Sequence, residues 1–313
     1  MSPPLTRRHF PDIAPAAWEH PADAAALRAL RAVPGFDRLV ALTMGRLNEW
    51  AMGRRVTEGS VLACDVEHPR LHALFEEVKE ALDAELDVPL RVKAMGGINA
   101  LTVGVDAPLI VIAAEAGERL TDDEIKVILS HELAHILSGH ILYKMMLGLL
   151  LQVGWTSLAL PLSLPVVVGV VLAMLEWDRK SELSADRASA LVLGGAGPVI
   201  ATLRQAGDER GLFWAKAQEL PEEWRAPARR VAAGAERVLF RHPPISDRLS
   251  ALEAWVESPR WADIQAGDYP RRADLPRPGS LDSMRAGAQR LGAGLTAAWG
   301  PLSQALGFRD KQA

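Results

Sequence analysis

Apolar positions recur three and four residues apart over two stretches in the first third of the chain. Leu27, Leu30, Leu39, Leu42 and Leu47 mark a rough helical stripe over residues 22–52, broken near Pro34-Gly35. Leu71, Leu74, Phe75, Val78 and Leu82 mark a second helix over 69–86, with acidic residues on its other face. The period then shortens. Residues 89–95, 100–105 and 109–113 are rich in Val, Ile and Leu and are parted by Gly96-Gly97 and Asp106-Ala107-Pro108, which predicts a small sheet of two or three strands. Next, Thr121 and Glu124 form a capping-box pair, and Asp122 and Asp123 suit the positive end of a helix dipole. The helix that starts there runs through Ile125, Ile128 and Leu129 into His131-Glu132-Leu133-Ala134-His135.

No charged residue stands between Lys144 and Glu176. Pro161 and Pro165 break this run, since both cannot sit inside one straight helix. The pattern predicts an apolar hairpin with helical arms at 145–160 and 166–177. At 1.5 Å per residue the arms span roughly 24 and 18 Å, short of the ~30 Å hydrocarbon core of a bilayer. Lipid or protein must cover such a run. Lys144 at one end and Arg179 with Lys180 at the other carry the positive excess of a cytoplasmic face. The expectation is therefore a membrane-associated protein with its main domain in the cytoplasm, the alternative being a soluble fold with a buried hairpin. Further helices are predicted over 178–193, 198–206, 221–240 and 245–256. A Pro- and Arg-containing stretch over 258–279 then leads to an amphipathic segment over 280–306.

Composition narrows the function classes. With 313 residues the chain is long enough for a substantial core, and a net charge of -4 gives no electrostatic case for nucleic acid. The single cysteine, Cys64, excludes an internal disulfide and fits a reducing compartment. Arg7 and Arg8 are followed by Pro11, Asp12 and Pro15 without an apolar core, so no secretory leader is expected.

The chemistry concentrates in two motifs. His131 and His135, at i and i+4, share one helix face and can grip one ion. Glu132 stands where a carboxylate can take a proton from an attacking water instead of ligating. A catalytic zinc needs a third protein ligand. A longer histidine motif would require Gly at 138 and His at 141, but these are Ser138 and Ile141. On a continued helix His140 falls half a turn out of phase with His131 and faces away. A carboxylate from a second helix is needed, and Glu182 and Asp186, again i and i+4, supply a pair. One can ligate while the other accepts a hydrogen bond from a ligand imidazole. The competing reading is a solvated acidic face beside Arg179, Lys180 and Arg187.

Four blocks in order carry a resemblance to a known family. They are Gly97-Ile98-Asn99-Ala100 with the strand after Pro108, the stretch from Thr121 to His140, Glu182-Leu183-Ser184-Ala185-Asp186, and His242-Pro243-Pro244-Ile245-Ser246-Asp247-Arg248. Together they resemble the M48 metallopeptidases, gluzincins that include the bacterial heat-shock membrane protease and the CAAX prenyl protease. The resemblance implies a predominantly helical α+β, zincin-like domain over 61–257 with the apolar hairpin 145–177 inserted. A helical segment over 1–60 precedes it, and a linker and amphipathic helix over 258–313 follow. It further implies one Zn2+ per chain on His131, His135 and Glu182, Glu132 as general base, and Asp186 orienting a ligand histidine. His242 and Arg248 are placed beside the metal, His242 to stabilise the oxyanion and Arg248 to bind substrate. Without that role Arg248 is a surface ion pair with Asp247 or Glu253. Asn99 is read at the sheet edge, where an extended substrate adds as a strand. The expected activity is endopeptidase cleavage of a protein or peptide, the rival an idle member of the fold that binds unfolded or membrane segments.

Overall fold

Strand β4 (Leu109–Ala113) lies at the centre of the sheet because it is apolar on both faces: Ile110, Val111, Ile112 and Ala113 are all fully buried. In the computed structural model the described residues are 8–32, 36, 57–95, 99–105, 107–153, 164–208 and 245–274. β4 pairs in parallel with β2 (Leu90–Lys93), Leu90 opposite Ile110, and antiparallel with β3 (Ala100–Val103), Leu101 opposite Val111. A two-residue strand, β1 (Val61–Leu62), adds antiparallel to β2, giving the order β1-β2-β4-β3. Among the described residues the sheet thus has four strands, where the apolar runs predict two or three, because β1 has two exposed residues and no alternation to read. β3 is an outer strand. Its turn into β4 needs Gly104, whose φ is +91° and where a side-chain carbon would collide with the backbone carbonyl of Ala107.

Helices cover this sheet and outnumber its strands, so the fold is predominantly helical α+β. α1 (Pro21–Arg31) precedes the sheet, and α2 (Pro69–Ala81) follows β1. α2 ends before residue 86 because Asp83 takes φ +48°, its carboxylate accepting from the Asp12 amide at 2.6 Å and pairing with Arg272 at 2.7 Å. A short α3 (Ala114–Arg119) leads to α4 (Asp122–Leu137), which starts at the expected capping box: the Thr121 amide donates to Glu124 at 2.8 Å and Thr121 Oγ1 accepts from the Glu124 amide at 3.4 Å.

Beyond α4 the chain departs from the predicted hairpin in two ways. α4 does not run into an apolar arm. It stops at Leu137, Gly139 takes φ +69°, and α5 (Ile141–Val153) starts afresh. On the far side, α6 (Leu164–Leu193) is one helix of 30 residues where two were predicted on either side of 177–178. The sequence changes there from apolar to charged, but nothing interrupts the backbone ladder. Pro165 is tolerated because it lies in the first turn, where no intrahelical N–H bond is made. α7 (Ala196–Asp208), α8 (Ile245–Val256) and α9 (Pro259–Gln265) complete the described helices. Residues 37–52 of the first predicted helix, Gly96-Gly97, the hairpin turn at 154–163, the 221–240 helix, His242 and the 280–306 segment lie outside the described residues.

The main core joins Ile110 and Ile112 to Phe75 and Val78 of α2, Ile128 and Leu129 of α4, and Ala185 and Ala188 of α6. Phe10, Ile13 and Trp18 enter the same core from the N-terminal side, as do Ile264 and Tyr269 from the C-terminal side. Ile13 also pairs with Arg271 as an isolated bridge. A second core lies at the base of α5 and α6, where Leu142, Met146, Val170, Met174 and Trp177 pack with Leu30 and Phe36. Protein, through α1, covers this end of the apolar run. No helix among the described residues is long and apolar enough to cross a membrane. The flanking cations are compensated too: Lys144 pairs with Asp178 and Glu182, and both Arg179 and Lys180 pair with Glu176.

Candidate metal centre

α4 and α6 cross face to face and bring the two motifs together. His131 and His135 are 2 % and 3 % exposed, their rings 4.8 Å apart and nearly perpendicular. Glu182, one turn before Asp186 on α6, faces both: its carboxylate oxygens lie 3.2 Å from His131 Nε2 and 3.3 Å from His135 Nε2. Ligand atoms on a tetrahedral ion with bonds of about 2.0–2.1 Å stand about 3.3 Å apart. Among the described residues these three side chains are the group whose donor atoms converge well enough to hold a metal ion, and all three are buried. They fit such an ion.

Charge leads to the same end. Among the described residues the buried carboxylates are Asp23, Asp178, Glu182 and Asp186, and they are met by Arg248 and the largely buried Lys144. Carboxylates outnumber cations among these buried groups, a balance that favours a bound cation. Burial disfavours protonation of His131, but Asp186 and Glu182 outweigh it and raise its pKa to about 9, so the site attracts a cation at this imidazole. His135 moves the other way. Burial and the nearby Lys144 ammonium hold it well below its ordinary value, in the neutral form a ligand needs.

Each ligand is held from behind. Asp186 Oδ1 lies 3.2 Å from His131 Nδ1. Burial would raise the Asp186 pKa, yet Arg248 and His131 keep it below the ordinary carboxylate range. Arg248 grips Asp186 with Nε at 2.7 Å and Nη2 at 2.5 Å, and its Nη1 is 3.7 Å from Glu182. Arg248 therefore lies beside the ligands and not in a surface pair with Asp247 or Glu253. Its side chain is 2 % exposed. Lys144 Nζ donates to Glu182 at 2.8 Å and to Asp178 at 2.7 Å; burial opposes its charge, but the two carboxylates raise its pKa and keep it cationic.

His140 does not face away. Because α4 stops at Leu137, the chain doubles back and sets His140 Nδ1 2.9 Å from His135 Nδ1. His140 Nε2 lies 3.0 Å from Asp23 Oδ2, and Asp23 also accepts from Trp177 Nε1 at 2.9 Å and Ser184 Oγ at 2.6 Å. Burial works against the Asp23 charge, but the His140, Ser184 and Trp177 donors hold its pKa below the usual value. Gly139 was the sequence signal for this turn; Asp23, 108 residues upstream of His131, left none.

On the open side Glu132 is half-buried and accepts from Thr102 Oγ1 of β3 at 2.7 Å. Asn99 precedes that strand, its carbonyl accepting from the Ala113 amide at 2.8 Å, so Asn99 continues the β3–β4 pairing on the outer strand. His242 lies outside the described residues.

Comparison with known proteins agrees with this geometry. The chain is 29 % identical over 202 residues to the plastoglobule-localized metallopeptidase 48, chloroplastic, of Arabidopsis thaliana, a match covering 64 % of this chain and 57 % of that protein. It is 25 % identical over 254 residues to a protease HtpX homolog of Bordetella pertussis, covering 71 % and 83 %. Protease HtpX of Xylella fastidiosa is 25 % identical over 186 residues, covering 50 % and 62 %. No solved structure matches the chain significantly. The sequence model of peptidase family M48 matches residues 65–256, more than half of the chain and all of both metal motifs, and the protein belongs to that family of metallopeptidases.

Proposed function

We propose that the protein is a zinc-dependent endopeptidase in which His131, His135 and Glu182 hold one zinc ion and Glu132 is the general base. The convergence of the three buried donor groups, one donor atom of each within 4.8 Å of the others and the Glu182 oxygens 3.2 and 3.3 Å from the two Nε2 atoms, supports this reading. A bound zinc ion supplies Lewis acidity that polarises a scissile carbonyl and acidifies a water molecule. Glu132, its carboxylate held in place by Thr102, would take the proton from the attacking water and deliver it to the leaving amine. An extended peptide added along the outer edge of β3, from Asn99 onward, passes the strand that holds Glu132. Arg248 acts through Asp186 on His131. For His242 the family resemblance supports a place at the developing oxyanion.

Glu132→Gln tests the assignment directly. The variant should retain a full equivalent of zinc and lose cleavage of an unfolded protein by about 10²-fold or more. Turnover in the metal-replete variant would remove Glu132 from the mechanism. Glu182→Ala, by contrast, should lose zinc as well as activity, and wild-type zinc affinity in that variant would place the third ligand elsewhere.

The run without charge between Lys144 and Glu176 supports a further reading, association with a membrane through 145–177. Among the described residues α1 covers its base, and Leu172 on α6 is 43 % exposed.

A further inference from the structure

His140 and Asp23 are buried, joined to each other and to a metal-ligating imidazole, and have no part in the mechanism above. We propose that Asp23, carried on α1, acts through His140 to fix the tautomer of His135 and is a positioning residue of the metal site. The inference rests on the ligand assignment proposed above and adds to it a residue from outside the span that matches the family.

Donor and acceptor roles follow along the chain of contacts. The Asp23 carboxylate can only accept, so His140 Nε2, 3.0 Å away, is its donor. A neutral imidazole that donates at Nε2 accepts at Nδ1. His140 Nδ1 lies 2.9 Å from His135 Nδ1, which must therefore carry the proton. His135 Nε2 is left with a lone pair for an ion held between it and Glu182, whose Oε1 lies 3.3 Å away. With both imidazoles neutral, each assignment follows from the one before. The anion on α1 thus decides which nitrogen of His135 is available to the metal, and it raises the basicity of that nitrogen.

Asp23→Asn is an informative variant because the indole of Trp177 is a donor only. Trp177 Nε1 meets Asp23 Oδ1 at 2.9 Å, so the amide oxygen of the asparagine must take that side. Its NH2 group then occupies the Oδ2 side and points at Ser184 and His140. His140 Nε2 must now accept, its proton moves to Nδ1, and His135 is forced to carry its proton on Nε2. The metal-facing lone pair is lost with no change of volume.

Two measurements test this. Two-bond 1H–15N correlation spectra of zinc-loaded, 15N-histidine-labelled wild-type protein should show the Nε2–H tautomer at His140 and Nδ1–H at His135. The opposite assignment overturns the proposal, and this readout requires no variant to fold. Competition with a chromogenic chelator should then show zinc affinity falling about tenfold or more in Asp23→Asn and in His140→Leu. His140→Gln, whose amide oxygen can accept from His135 Nδ1, should recover part of the loss. Unchanged affinity in folded Asp23→Asn, or no difference between His140→Leu and His140→Gln, defeats the positioning role while the zinc assignment stands. Failure of the wild-type chain to bind zinc defeats both.

Discussion

Arg248 shows how much of this site consists of residues that never touch a metal. Its guanidinium is fully buried and gives two hydrogen bonds to Asp186, which in turn faces His131. Removing it leaves a buried carboxylate without its countercharge, a change that typically costs about 3–5 kcal/mol. Arg248→Ala should therefore lower the denaturation midpoint strongly even with a chelator present, which separates the structural loss from the loss of metal. Arg248→Lys keeps a charge but not the forked geometry and should fall between the two. A midpoint unchanged from wild type in Arg248→Ala would show that Asp186 finds another partner. His131, His135, Glu182 and Asp186 were legible in the sequence because their i, i+4 spacing is itself the chemistry. Asp23, Lys144 and Thr102 were not, because each reaches the site from another element and sits in an ordinary local context.

At the scale of elements, α1 depends on a capping residue that titrates. His20 Nδ1 accepts from the Ala22 amide at 3.1 Å, which only an unprotonated nitrogen can do. Burial, then the neighbouring Arg187 and Lys180, lower its pKa to about 4, with Asp23 opposing them. A folded-state value below the unfolded 6.5 means that the unfolded chain takes up the proton first. His20 thus contributes stability that is complete above pH 6.5 and is lost as pH falls toward about 4. His20→Asn caps without titrating, so its thermal midpoint should gain on that of wild type between pH 7 and pH 4.5. An equal gap at both pH values would exclude the effect. Element ends were also where sequence and structure diverged. The capping box set the start of α4 correctly, but its stop rests on the left-handed turn at Gly139, and a pattern that simply continues past His135 misplaces His140. The join at 177–178 misled for the opposite reason: residue type changes there and the helix does not.

For the whole molecule the main prediction concerns where the protein resides. If the charge-free run contacts lipid, the unaltered chain should sediment with membranes and require detergent for extraction. Charged residues in place of Leu149, Leu151 and Val168 should then shift it to the soluble fraction. A monodisperse, detergent-free wild-type particle would overturn the membrane reading and leave the metal chemistry intact. The unbroken course of α6 matters here. Trp177, Asp178, Glu182, Ser184 and Asp186 all act in or behind the metal site, and Val170 and Met174 one to two turns earlier belong to the core beneath the apolar run. Successive residues of a helix are separated by about 100° of rotation and 1.5 Å of rise. The two ends of this rod are therefore locked in phase. One residue added between Met174 and Trp177 would swing the apolar face about a quarter-turn away from its packing partners, whereas seven would restore it nearly in register. Among chains built on this plan, the spacing between the apolar arm and the ligand carboxylate is free to change only in steps close to whole turns.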